Sequence, residues 1–157
     1  VDVSGDSRVE IAAGALEARH AASVRLAALQ KSFNDGVELH KQMTAERERL
    51  EKALATTPAR RDSLAALVAE VRQQLDSLGR RFGAGFGGPK FGFLDLDGSM
   101  QASSTRPTVA QERTIEQLGA QLKVDLAALN ALLAGRFAEL QRKAEGAGVV
   151  LKAVVVP

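Results

Sequence analysis

The chain of 157 residues is long enough for a single domain with its own core. It contains no cysteine, which excludes disulfides, thiolate catalysis and cysteine-based metal or iron–sulfur sites. Its 21 basic and 19 acidic residues nearly balance and alternate along the sequence, so we expect no nucleic-acid binding. No apolar run approaches the roughly 20 residues that span a bilayer, and we expect no transmembrane segment.

The first predicted helix covers about residues 13–54. Apolar residues recur every three or four positions and form a near-heptad stripe. In isolation Asn34-Asp35-Gly36 is typical of a turn, but the stripe keeps its phase across it. We therefore predict one long helix that is kinked or weakened near Gly36, and favour it over two helices joined by a reversal.

Two further helices follow. Thr57 is an expected N-cap with Pro58 in the first helical position, and the second helix runs to Phe82. Thr108 to Gln111 matches a capping box that opens a third helix over residues 109–145. The first connection is so short that its helices must pack antiparallel. The predicted fold class is mainly α, an antiparallel bundle of three long helices in a single domain over residues 1–157.

The segment of residues 83–93 joins the second and third helices and combines glycine with phenylalanine. Its glycines and Pro89 predict that the helix stops, and residues 94–100 are expected to hold a short helical turn. A plain solvent linker has no use for large apolar side chains, so we predict a loop that folds back on the end of the bundle. The candidate interaction residues of this loop are Phe86, Phe91, Phe93, Leu94 and Leu96.

Both ends of the sequence resemble β-strands. The first residues alternate apolar and polar side chains before Gly5, and residues 149–156 are β-branched and apolar. We expect these ends to pair with each other or to join a β-rich domain, which predicts that the chain was excised from a longer one. The candidate pairing residues are Val1, Val3, Val154, Val155 and Val156.

Candidate ligating residues are few. His40 and Met43 lie one helical turn apart and could ligate haem, but there is no haem-attachment motif, and we favour a polar break in the core that sets register. Asp95-x-Asp97 resembles the start of a calcium loop without the later bidentate glutamate, and we favour an Asx-type turn. The sequence therefore predicts no cofactor and no metal.

No set of residues for catalysis stands out. The glycines of residues 83–88 lack the Lys-Ser/Thr of a phosphate-binding loop and follow a helix, which is the wrong end for an anion. Amphipathic helices could also coat a lipid surface, but the mixed charge and narrow apolar stripe favour a bundle. We therefore expect that this chain by itself is not an enzyme.

Several short motifs occur together in an order that resembles a known family. The first motif, Asp6-Ser7-Arg8-Val9, leads into the long helix. The second, Leu94-Asp95-Leu96-Asp97-Gly98-Ser99, lies in the connection before the last helix. That helix opens with Arg106-Pro107-Thr108 and carries Asp125-Leu126-Ala127-Ala128-Leu129-Asn130. Together they are similar to the C-terminal helical region of bacterial secreted BNR-repeat or sortilin-like β-propeller proteins, which are described as glycosyl hydrolases. The resemblance implies an extracytoplasmic origin and an accessory role, with any catalytic residues outside this chain.

Three functions follow as hypotheses. The first is a structural or interaction module that packs against a β-rich protein domain of the same or another chain, with a homo-oligomer left open. The second is an accessory domain of a glycoside hydrolase. The third is a bundle that binds a lipid or another apolar ligand, with the phenylalanine loop as a lid.

Overall fold

The computed structural model describes residues 13–56, 58–82, 89–102 and 105–155. It is mainly helical, as the sequence predicts, and the described residues contain no β-strand. The helices are α1 (Ala13–Ala55), α2 (Pro58–Phe82), α3 (Pro89–Gln101), α4 (Val109–Leu132) and α5 (Ala138–Gly146), with a π-helical turn at Leu133–Phe137 between the last two.

Side-chain contacts fix the direction of the long helices. The His40 ring on α1 lies 2.8 Å from the carbonyl oxygen of Leu75 on α2, whereas Gly36 contacts Phe82 further along α2, so these helices are antiparallel. Helix α4 runs parallel to α1, because Gly36 also contacts Leu126, and Arg25 pairs with a glutamate in the first turn of α4. The chain therefore runs up, down and up along one bundle axis.

The second leg of the bundle is split into two helices. The prediction of a loop up to Phe93 is wrong for its last residues, because α3 begins at Pro89, a residue favoured at the first helical position. Phe93, Leu96 and Met100 are all buried, and their spacing places them on one helical face. Ser99 of α3 accepts a hydrogen bond from Gln111 of α4 at 3.0 Å. Helix α3 thus extends the descending leg beyond α2.

Helix α1 is continuous through Gly36, so the turn suggested by Asn34-Asp35-Gly36 does not form. A β-carbon placed on Gly36 would lie 2.7 Å from a Leu126 methyl group and 2.8 Å from the Phe82 ring. These distances are too short for any real side chain. The glycine is therefore explained by the close approach of α2 and α4 to α1 at this level, and not by a reversal of the chain.

The capping box predicted for the third leg is confirmed. The Thr108 hydroxyl accepts from the backbone N–H of Gln111 at 3.2 Å, and the Gln111 side chain accepts from the backbone N–H of Thr108 at 2.8 Å. The predicted N-cap Thr57 lies outside the described residues. The third leg itself is not one uninterrupted α-helix, because the π-helical turn separates α4 from α5.

Candidate interaction surfaces

The predicted ligating residues are used inside the fold. His40 bonds to the Leu75 carbonyl group, and Met43 is buried in the core. Asp95 and Asp97 lie within α3 and not in a turn, and Asp97 accepts a hydrogen bond from Gln101 at 2.7 Å. Within the described ranges no three histidine, aspartate or glutamate side chains form a group that could hold a metal ion.

The candidate interaction loop is placed in part. Phe93 is 2% exposed, and its ring centroid lies 5.7 Å from that of Phe33 on α1. Leu96 is buried as well, while Phe91 and Leu94 belong to α3 and Phe86 lies outside the described residues. Phe93 and Leu96 thus stabilise the bundle by packing α3 against it, and contact between this segment and a partner stays a prediction.

Two buried charged side chains have partners within the bundle. Asp125 of α4 is 5% exposed and accepts hydrogen bonds at 3.0 Å from Arg81 of α2 and from Gln121 one turn earlier. Arg47 of α1 donates to both carboxylate oxygens of Glu51 at 2.8 Å. A buried charge is tolerated only when it is paired and hydrogen-bonded, and these pairs offset the cost of burying Asp125 and Arg47.

The π-helical turn borders an open groove of about 660 Å³ between α2 and the third leg. Its lining combines small residues with charged side chains. The residues that line it are Gln74, Ala128, Ala131, Leu132, Ala134, Gly135, Arg136, Glu139 and Arg142. Because π-helical turns occur frequently at functional sites, this groove is the first candidate interaction surface.

A network of ion pairs crosses the rim of this groove. Arg136 donates to Glu70 on α2 and to Glu139 on α5, both at 2.9 Å, and Lys143 lies 2.9 Å from the other oxygen of Glu139. The hydrogen bond from Lys143, followed by that from Arg136, lowers the pKa of Glu139 below its ordinary value of 4.5. The hydrogen bond to Glu139 raises the pKa of the Arg136 guanidinium further. The lowered pKa favours the ionised form of Glu139, the form that pairs with Arg136 and Lys143.

We expect Lys143→Met to raise the pKa of Glu139, because it removes the strongest hydrogen bond to that carboxylate. Since the folded chain lowers this pKa, the pairing stabilises the fold above the unfolded-state value, and the contribution is lost as pH falls through the folded-state value. The measurement is the titration of the Glu139 carboxyl carbon by NMR. Lys123→Met, on an exposed part of α4, is the matched control. Equal Glu139 pKa values in the wild type and the Lys143 variant would contradict the assignment.

The second candidate surface lies where the segment after α5, residues 149–155, contacts α1 and α5. These residues have no regular secondary structure and bond to both α1 and α5. The backbone N–H of Lys152 donates to Glu46 of α1 at 2.8 Å, and that of Val155 donates to Gln42 at 3.1 Å. Gln141 of α5 donates to the carbonyl oxygen of Lys152 at 3.3 Å.

The partner of this segment is therefore a pair of helices and not another strand. The strand predicted for residues 149–156 does not form in its described part, since the side chains of α1 bind its backbone donors. Val154 and Val155 both lie in this segment, while Val1, Val3 and Val156 lie outside the described residues. The proposed pairing of the two ends stays a prediction.

A Schellman motif directs the segment back over the bundle. The N–H of Val149 donates to the Ala144 carbonyl at 2.9 Å, and that of Gly148 donates to the Glu145 carbonyl at 2.8 Å. Gly148 has a φ of 80°, in the left-handed region that glycine adopts without cost. The end of α5 therefore fixes where the segment of residues 149–155 begins and in which direction it leaves the helix.

We expect Gly148→Ala to destabilise the fold by about 1–2 kcal/mol, because a β-carbon is disfavoured in the left-handed region. We also expect it to loosen the segment that follows, so that the amide of Lys152 exchanges faster with solvent. Gly146→Ala is the matched control, since Gly146 lies in α5 and nothing lies within 4 Å of the added carbon. Urea unfolding and amide exchange are the measurements, and equal stability of the two variants would contradict the role of Gly148.

The residues that form these two surfaces were not among the sequence candidates. Gln42 and Glu46 belong to runs of charged and polar residues that resemble a solvated helix face. One sequence signal indicates the start of the segment of residues 149–155. A glycine followed by apolar residues directly after a helix is typical of a Schellman motif. A signal for the binding partners of its backbone was absent, because amide donors look alike in every sequence.

The described residues form a helical bundle with an open groove beside its π-helical turn. None of the helices in the described part combines the length and the hydropathy needed to cross a membrane. Comparison of the chain with protein-family profiles, with curated proteins and with solved structures found no match.

Proposed function

We propose that the chain is a non-catalytic structural and interaction module, a helical brace that packs against a β-rich domain of the same or another chain. The observation that carries this proposal is the use of its polar groups. His40, Asp125 and Arg47 would each be an obvious candidate for chemistry, and each is bonded within the fold.

The dimensions of the bundle suit a brace. Helix α1 has 43 residues. At about 1.5 Å per residue it is roughly 65 Å long. Contacts along its length to α2, α3 and α4 stiffen it. A rigid rod of this kind can hold two contact points apart or present one broad face to a partner.

The alternative of a lipid-binding bundle is supported less well. A phenylalanine lid must expose its rings when it opens, but Phe93 of α3 is buried and packs against Phe33 of α1. Opening such a lid would remove a central core residue. The extracytoplasmic setting and the link to a β-propeller protein belong to the proposal through the sequence resemblance alone.

Site-specific photo-crosslinking tests the interaction role. A photoreactive amino acid is placed at Ala131 in the lining of the groove beside the π-helical turn, in cells that express the chain. The matched control is the same photoreactive amino acid at Ala27, an exposed residue in the first half of α1 that does not line the groove. We expect a discrete protein adduct from the Ala131 position and none from Ala27.

Two outcomes count against the proposal. Equal crosslinking from both positions, or no adduct from either, would remove the support for a specific protein contact at this groove. Turnover of a glycoside substrate by the purified chain, abolished by a single substitution, would contradict the non-catalytic part.

A further inference from the structure

The face of α4 that points away from the core is apolar and has no covering inside the described fold. Its residues recur at intervals of four, three and four positions: Ala120, Val124, Ala127 and Ala131. Each lies two positions from the buried Leu122 or Leu129, and two positions turn a helix by roughly 200°. The four therefore share the side of α4 opposite the core. All of them are exposed, and Val124 is 58% exposed.

Charged side chains lie at both ends of this face with opposite signs. Glu116 and Arg142 each lie thirteen residues from Leu129, in opposite directions along the third leg. Arg113 and Glu145 lie sixteen residues from it, again in opposite directions. All four are exposed, and within the described ranges none of these side chains has an ion pair or a hydrogen bond. Reversing the direction of the leg therefore brings each of these charges to the level of its opposite.

The inner pair of charges is close to the apolar face. Glu116 comes one helical turn before Ala120, so the two are neighbours on the surface of α4. Arg142 and Ala131 line the same groove beside the π-helical turn. The face and its charges thus form one surface that is complementary to its own reversed copy. A two-fold axis requires this property, because it brings the same patch of both subunits together.

We infer that a second copy of this chain packs against this surface, with the third legs of the two copies antiparallel and both Leu129 residues at the level of the two-fold axis. Glu116 of each copy then meets Arg142 of the other. Ala127 of each copy faces Ala131 of the other, and these small side chains allow the helices to approach to about 8 Å. The inference rests on the protein contact proposed above for the groove that contains Ala131, and it names the partner.

The charges favour this arrangement over two others. A parallel pair of legs would place Arg142 against Arg142 and Glu116 against Glu116, and like charges at such positions repel. A partner of unrelated sequence would need the same order of signs in reverse. A second copy supplies that order automatically, so electrostatic complementarity selects it as the occupant.

Charge reversal in the full chain, followed by sedimentation velocity, tests the pairing. We expect the wild type to dimerise as its concentration rises. Glu116→Arg and Arg142→Glu should each weaken the dimer by roughly tenfold, because each creates two like-charge contacts. An equimolar mixture of the two variants should recover the association, since one copy then carries arginine at both positions and the other carries glutamate. Glu17→Arg, the same change at an exposed position of α1, is the matched control and should leave the dimer unchanged.

A wild type that stays monomeric at the highest concentration reached would overturn the inference. So would a dimer that neither reversal weakens, or a mixture that associates no better than its two components do alone. Photo-crosslinking from Ala131 separates this inference from the proposed function. An adduct of twice the chain's mass supports both, whereas an adduct with a different protein, formed by a monomeric chain, overturns the second copy alone. A monomeric chain that gives no adduct overturns both.

Discussion

Phe93→Ala should lower the free energy of unfolding by about 3–5 kcal/mol, as expected for truncation of a buried phenylalanine. The Phe93 ring lies at one end of an aromatic cluster that is centred on Phe33 of α1: Phe33 is 5.7 Å from Phe93 and 5.9 Å from Phe82 of α2. Truncation leaves a cavity where three helices meet. Thermal and urea unfolding measure the loss, and a decrease of roughly 10 °C in Tm is expected for a domain of this size.

Asp95→Ala is the matched control for this substitution. Asp95 lies on the exposed face of the same helix, two residues further on, and its truncation should change the free energy of unfolding by less than about 0.5 kcal/mol. If Phe93→Ala costs no more than Asp95→Ala, helix α3 does not pack into the core. In that case the glycine- and phenylalanine-rich segment would also not fold back on the bundle as the sequence pattern predicts.

Gly36→Ala should destabilise the chain by about 1–3 kcal/mol, although alanine is the better helix former by about 1 kcal/mol. The added carbon would lie 2.7 Å from Leu126 and 2.8 Å from Phe82, so α4 and α2 must both move outward. Neither neighbour can yield easily, because Phe82 is buried and Leu126 packs against the core. Urea unfolding monitored by circular dichroism measures the effect.

The opposite sign is expected for Gly98→Ala, which serves as the control. Gly98 lies in α3 with nothing within 4 Å of an added carbon, so only the helix propensity acts and the chain should gain up to about 1 kcal/mol. Stabilisation by Gly36→Ala would show that the three legs do not approach each other as closely as described here.

The helices follow from the sequence where one physical signal dominates. The apolar period, Pro58 and the capping box at Thr108 each act locally, and they predict α1, α2 and the start of α4 within a residue or two. The role of Gly36 is harder to predict, because a glycine needed for close packing and a glycine needed for a turn look the same in sequence. The difference lies in Leu126 and Phe82, which are distant along the chain.

The errors have physical causes of the same kind. The glycines of residues 83–88 and the proline that follows them predict a loop, and this signal outweighs the helical spacing of Phe93, Leu96 and Met100. The tail was predicted as a strand because its valines favour extended backbone. Its described part forms no strand, because the backbone donors of Lys152 and Val155 bind side chains of α1. Helical periodicity does not indicate which polar side chains will accept from a distant backbone.

The π-helical turn has a consequence for how the length of this chain can change. From Leu122 to Leu132 the buried residues of the third leg are three or four positions apart, and the next one, Phe137, follows after five. The wider turn accommodates one additional residue, so that Phe137 and Leu140 still face the core. An α-helix that gained a residue here would acquire this turn, and a chain that lost one would return to the regular helix with both halves of the leg in phase. This turn is therefore the place in the leg where a single-codon insertion or deletion can become established without disturbing the packing on either side.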